Sequence, residues 1–468
     1  MASGLLEFAR ARSAVLLAIT LAGATLHAYT RWPLAGYVAA PALVFYIALE
    51  WPRLRGNARF LVAACVALGL YAGISTGAWR KVGDGLAASC FYPAFLAALS
   101  FLRDAAASSP MVERAGRYLV AQPPGRRYVA LTFGGHVFGI LLNLGGLALL
   151  ASMLKQTNTL ASAGGDQGRF ELREKRMTLA VLRGFHSMAM WCPLSITMAL
   201  LFSLTPGVHW AEYAPYGLML TVVFLAFGWL FDFIQFPRAK TAPVNDDPGG
   251  WRAALAMLAQ VTAITLIALA MEELTGVRFT IHILVVVPLF ALGWLALQNA
   301  ALGPLEALRR STVTLIERSK RGFPAYANEV TLFATAGFLG AMTPLVLREE
   351  TMVAIITNLH LTPAMLSVAI VLVIAGLAVV GINAMVTVTM LVGALAHAPA
   401  TGLSPLKLVF VIVGAWSLSN GMSPLNSSMV LLGGVMGRPS EMITIRWNGV
   451  FALMTLVLFC VAVYFLPL

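Results

Sequence analysis

Val129-Ala-Leu-Thr-Phe-Gly-Gly-His-Val-Phe-Gly-Ile-Leu-Leu-Asn-Leu-Gly-Gly-Leu-Ala-Leu-Leu-Ala-Ser-Met-Leu154 is long and apolar enough to cross a bilayer, yet it reads as a hairpin that enters and turns back. Gly134, Gly135, Gly139, Gly145 and Gly146 surround Asn143. Glycine permits the tight turn. Directly after the stretch come Lys155, Arg169, Arg173, Lys175 and Arg176. With a cytoplasmic N-terminus and a single crossing, all five would lie outside, against the cytoplasmic preference of Lys and Arg. A glycine-rich packing helix is the alternative, and the charge decides against it. Broken backbone inside a membrane survives only where protein or a water-filled cavity satisfies it.

The surrounding composition sets the class. The chain has 468 residues, 59% of them hydrophobic and only 11% charged, with mean hydropathy +0.82. Soluble domains carry roughly 25% charged residues, so this is a membrane domain. The net charge of +12 does not point to nucleic acid, because the basic residues fall between apolar runs. Cys65, Cys90, Cys192 and Cys460 all lie inside apolar runs without CxxC or Cys/His spacing. That excludes a disulfide framework and a zinc site.

The pattern predicts an all-α polytopic protein with spans at 13–30, 33–49, 60–79, 86–102, 184–205, 213–236, 251–271, 279–297, 330–347, 406–436 and 447–468. A surface-lying amphipathic helix is expected at 111–120, and a basic stretch at 304–325. The run 363–397 is too long for one span and is read as a second hairpin entering from the other side. Of the 32 Lys and Arg, only Arg31, Arg80, Lys81, Arg278, Arg348 and Lys407 then lie outside. The result is eleven spans and two re-entrant hairpins, with the N-terminus cytoplasmic and the C-terminus outside a bacterial-type inner membrane. The start, Arg10 and Arg12 before 13–28, also has the charge pattern of a signal peptide. It is taken as an uncleaved span because the topology closes only if it stays.

Pro193-Leu-Ser-Ile-Thr-Met-Ala-Leu-Leu201 and Pro424-Leu-Asn-Ser-Ser-Met-Val-Leu-Leu432 match without a gap, five of nine positions being identical. A weaker match precedes each, Gly139-Ile-Leu-Leu-Asn143 and Gly381-Ile-Asn383. The chain therefore divides into an extra span at 1–32, a first repeat at 33–240 and a second at 241–468. In the topology above the two repeats are inverted, an arrangement seen in many secondary transporters. The first holds hairpin 129–154 and broken span 184–205; the second holds hairpin 363–397 and broken span 406–436.

Proline within a span removes a backbone hydrogen bond. Beside Pro193 stand Cys192, Ser195 and Thr197; beside Pro424 stand Ser419, Asn420, Ser423, Asn426, Ser427 and Ser428. Freed carbonyls with hydroxyl and amide oxygens suit a cation, and exposed N–H groups at half-helix N-termini suit an anion. Two breaks facing two hairpin tips, with Asn143, Gly145 and Asn383 at the tips, predict a site near the midplane. Carboxylates are missing from every segment proposed to line it, which argues against a carboxylate-driven cation exchanger. An anionic solute held by neutral donors, with Na⁺ on oxygens of Asn, Ser and backbone, fits better. His136 and His186 are read as packed hydrogen-bond donors.

This pattern resembles the ion-transporter superfamily, in particular divalent-anion/sodium symporters of the dicarboxylate and citrate type, over most of the chain from about Pro33. The resemblance rests on span count, two opposed hairpins, a broken span after each, and amphipathic arms beside the first. In that family each hairpin tip carries a Ser-Asn-Thr motif that binds carboxylate and sodium. Here only the asparagine has a counterpart, in Leu142-Asn143-Leu144 and Ile382-Asn383-Ala384. The flanking hydroxyls are absent, and Thr387 and Thr389 come later in the second hairpin. The resemblance implies an elevator motion, possible Na⁺ at Asn143 and Asn383 with no other cofactor, and a homodimer.

The expected function is secondary transport of a small solute, not enzymatic catalysis. A membrane enzyme acting on lipids is the main competitor, but Asp104, Glu113, Asp166, Glu171 and Glu174 show no DDxxD-like or HxxxH-like spacing. The membrane subunit of a binding-protein-dependent transporter would share the same fold.

Overall fold

In lipid every backbone polar group needs an internal partner, so the apolar runs fold as helices. The computed structural model describes residues 2–205, 207–236, 249–346, 349–395 and 401–467, and no strand occurs among them. The first half runs α1 (Ala2–Thr30), α2 (Pro33–Glu50), α3 (Gly56–Thr76), α4 (Trp79–Ser89), α5 (Phe91–Ala107), α6 (Pro110–Val120), α7 (Pro124–Leu142), α8 (Leu144–Thr157), α9 (Gln167–Ser187), α10 (Ile196–Leu204) and α11 (Trp210–Gln235). The second half runs α12 (Gly250–Thr275), α13 (Phe279–Gln298), α14 (Pro304–Ala325), α15 (Ala327–Val346), α16 (Glu349–Asn358), α17 (Pro363–Val379), α18 (Ala384–Leu395), α19 (Pro405–Ser419), α20 (Ser427–Met436) and α21 (Gly449–Phe465). Proline opens α2, α6, α7, α14, α17 and α19, where its missing N–H is no loss.

Eight helical stretches among the described residues are long and apolar enough to span a bilayer. The chain is a multi-pass membrane protein. The three expected spans outside those eight are 184–205 and 406–436, each divided into two helices, and 447–468, whose helix α21 has 17 residues. The boundary at 240/241, the last two residues of 363–397 and Arg348 lie outside the described residues.

Two expectations shift. The span expected at 86–102 is α4 and α5 together, divided at Cys90. Pro93 has no N–H to bond the Ser89 carbonyl four residues back. The helix of the span expected from residue 184 starts earlier: α9 begins at Gln167, where the Asp166 side chain accepts from the Arg169 N–H.

The stretch 129–154 is two helices. α7 ends at Asn143, which adopts φ 52° and ψ −132°, and α8 starts at the next residue. The two helices fold back on one another: a Cβ at Gly146 would sit 2.3 Å from the Phe138 carbonyl oxygen. α7 packs even more closely on α9. A Cβ at Gly184 would lie 1.9 Å from the Thr132 carbonyl oxygen, and one at Gly135 would lie 2.1 Å from that of Val181. Small residues let membrane helices approach this near.

The second half repeats the order. α17 and α18 pack together across the turn 380–383, where Gly381 has φ 93°. A divided helix, α19 and α20, follows, and then α21. The halves interlock: α8 packs on α20, and α18 packs on α10 and α15. On another side α5 packs on α1 and α13. The cavity lies between these groups.

Candidate functional site

The breaks place four helix N-termini around one space. Asn143 precedes α8, Ser195 precedes α10, Asn383 precedes α18 and Asn426 precedes α20. The first turn of each lines a cavity of about 700 Å³. A helix N-terminus carries unsatisfied N–H groups and a partial positive charge. Three of the four are capped by their own side chains. Ser195 Oγ accepts from Met198 N–H at 3.3 Å, Asn383 Oδ1 from Met385 N–H at 2.9 Å, and Asn426 Oδ1 from Ser428 N–H at 2.9 Å. The N-terminus of α8 has no side-chain cap.

The structure brings most of the expected site residues together. Asn143, Gly145, Cys192, Ser195 and Thr197 line the cavity from the first half. Asn383, Asn420, Asn426, Ser427 and Ser428 line it from the second. Pro193, Ser423 and Pro424 lie in the unwound segments and do not line it. Thr387 is one turn along α18, buried, with its Oγ1 free of any hydrogen bond.

A polar chain crosses between the halves. Ser428 Oγ donates to Asn426 Oδ1 at 2.7 Å, so it accepts from His186 Nε2 at 2.8 Å. Asn426 Nδ2 in turn donates to Asn420 Oδ1 at 3.0 Å. His136 is occupied at both nitrogens. Ser187 donates to the Gly184 carbonyl and accepts from His136 Nδ1, while Trp191 Nε1 donates to His136 Nε2 at 3.0 Å. That pattern requires the neutral ring with its proton on Nδ1.

Charged groups enter from elements that the sequence did not single out. Arg103 on α5, Arg55 between α2 and α3, and Glu329 in the first turn of α15 all line the cavity. The expected segments remain free of carboxylates, yet the cavity is not, and its donors are not all neutral. The Arg103 guanidinium lies over the Tyr326 ring, 4.5 Å from the centroid. A second cavity of about 380 Å³, lined by Arg53, Arg55, Arg321 and Glu329, adjoins the first through Arg55 and Glu329.

At the basic end of these helices two contacts tie the halves. Arg438 makes hydrogen bonds to Glu174 at 2.6 and 3.0 Å, and Lys155 Nζ donates to the Val435 carbonyl at 3.0 Å. The bond to Glu174 holds the Arg438 guanidinium above the usual arginine range. Among the described residues no group of three or more His, Cys, Asp or Glu is arranged to hold a metal.

No family model matches the sequence, and no curated protein matches it. The fold does match solved structures. The chain superposes on the YdaH transporter of Alcanivorax borkumensis, described as having an unusual topology, with a TM-score of 0.53 and 15% identity over 87% of this chain and 97% of that one. MtrF of Neisseria gonorrhoeae, described with a class of antimetabolite efflux pumps, gives a TM-score of 0.39 and 13% identity over 79% of this chain and 81% of that one, too loose a fit to carry an argument. The chain shares its fold with the YdaH transporter, and that likeness does not single out the divalent-anion/sodium symporters.

Proposed function

We propose that this chain is a secondary active transporter of a small anionic organic solute. One observation carries the reading. Four helix N-termini, two from each half, converge on one cavity flanked by Arg55 and Arg103. Partial positive charges aimed at a common point repel one another unless an anion sits among them. The solute's anionic group would complete the site.

In the fuller form of the proposal, 129–154 and 363–397 are re-entrant hairpins of two inverted repeats, 33–240 and 241–468, after an extra span at 1–32. Eleven spans set the N-terminus in the cytoplasm and the C-terminus outside the inner membrane. The hairpins and divided helices move as one body against α5, α13 and α15, in an elevator motion. The Glu174–Arg438 and Lys155–Val435 bonds support such a body by tying α8 and α9 to α20 and the turn after it. Na⁺ would couple transport through Asn143, Asn383 and neighbouring carbonyls, and the assembly would be a homodimer.

Reconstituted protein with an imposed inward Na⁺ gradient should accumulate an organic anion such as succinate or benzoate. Asn143→Ala should abolish uptake. Full uptake by Asn143→Ala and Asn383→Ala would remove both asparagines from the site.

A further inference from the structure

The cavity's positive charge is unevenly placed, and one residue stands out. α5 turns Leu96, Leu99 and Arg103 toward the cavity at helical spacing. Arg103 ends that row beside the tip of the first hairpin: its Cδ is 4.0 Å from where a Cβ on Gly145 would be. Gly145 lies in the first turn of α8, the one N-terminus of the four without a side-chain cap.

A guanidinium beside a helix N-terminus is a like-charge contact, unfavourable when nothing lies between. Among the described residues Arg103 makes no ion pair, and its Nε is buried without a hydrogen-bond partner. Burying a donor without a partner has its own cost. Glu329 lines the same cavity and is not bonded to it. The side chain is nevertheless held, by the Tyr326 ring beneath the guanidinium plane. It is a planar cation stacked on Tyr326, without an ion pair among the described residues, and its stem passes beside the first turn of α8.

We propose that Arg103 is the specificity-determining anchor for the solute's anionic group. The guanidinium grips two oxygens of a carboxylate, sulfonate or phosphonate against the first turn of α8. A planar two-oxygen fork matches that geometry, and a lysine does not. The inference rests on the transport reading above and assigns the solute's anionic group to one of the two arginines that line the cavity.

The test uses the purified full-length chain in detergent, with thermal unfolding followed on addition of succinate, benzoate, sulfate or phosphate, and benzamide as the uncharged control. A ligand that binds the folded state raises the midpoint. At least one anion should stabilise the native chain and benzamide should not. Arg103→Gln should weaken that anion's apparent affinity tenfold or more. Arg103→Lys should weaken it several-fold, and it serves alone if the glutamine variant does not fold. Equal affinity in the native chain and both variants overturns the anchor and leaves the transport reading standing. If no anion stabilises the native chain, the anchor and the anionic reading both fall.

Discussion

His186 Nε2 and Ser428 Oγ lie 2.8 Å apart although 242 residues separate them in the chain. The contact joins α9 of the first half to the first turn of α20 in the second. It is buried, and the Ser428 hydroxyl is committed to it by its own bond to Asn426. Removing one side of a buried hydrogen bond costs roughly 1–3 kcal/mol. Ser428→Ala and His186→Ala should each lower the unfolding midpoint, and the double variant should lose clearly less than the sum. Strict additivity in that cycle would show that the pair is not coupled.

Asn143 stands at φ 52° and ψ −132°, backbone angles that suit glycine better than asparagine. Strain of this kind is worth about 1–3 kcal/mol. Asn143→Gly should therefore raise thermal stability while cutting uptake, because it relieves the backbone and deletes the amide that lines the cavity. Asn143→Ala should lower both. A glycine variant that is more stable and transports normally would make this side chain dispensable.

Gly184 faces the Thr132 carbonyl so closely that an added methyl would need α7 and α9 to separate. Overpacking typically costs about 1–3 kcal/mol, and here the obstacle is backbone. Gly184→Ala should destabilise by at least that range or prevent recovery of folded protein. Gly125→Ala, where nothing lies within 4 Å, should not change the midpoint.

The Glu174–Arg438 pair is half-shielded, with side-chain exposures of 7% and 27%. Glu174→Gln leaves the guanidinium without its counter-charge and should cost about 2 kcal/mol. Charge-swapping both residues should recover part of the loss. A midpoint unchanged in Glu174→Gln would mean that the clasp contributes nothing.

The breaks at Asn143, Pro193 and Pro424 were legible because glycine and proline mark interrupted helices directly. Those signals drew Asn143, Ser195, Asn383, Asn426 and their neighbours into one site, and the fold brings them to one cavity. Arg103 was not legible. An arginine at the end of an apolar run looks like any cytoplasmic loop charge, and only α5's rotation turns it inward. Glu329 and Tyr326 were missed for the same reason. The first turns of α9, before residue 184, were not legible because they are polar, held by Arg176–Asp232 and Glu174–Arg438 rather than by an apolar face. Pro93 was the available signal for the division at Cys90.

A cavity between two hairpin tips requires α7 and α8 to return to the face they left. Cysteines placed singly at Gly125 and Thr157, both exposed, would report this. The background should lack Cys65, Cys90, Cys192 and Cys460, and the reagent should be a membrane-impermeant maleimide. Both positions should label in inside-out vesicles and neither in right-side-out vesicles. Labelling of one position from each face would mean that the segment crosses the membrane, and the cavity between the hairpin tips would lose its basis.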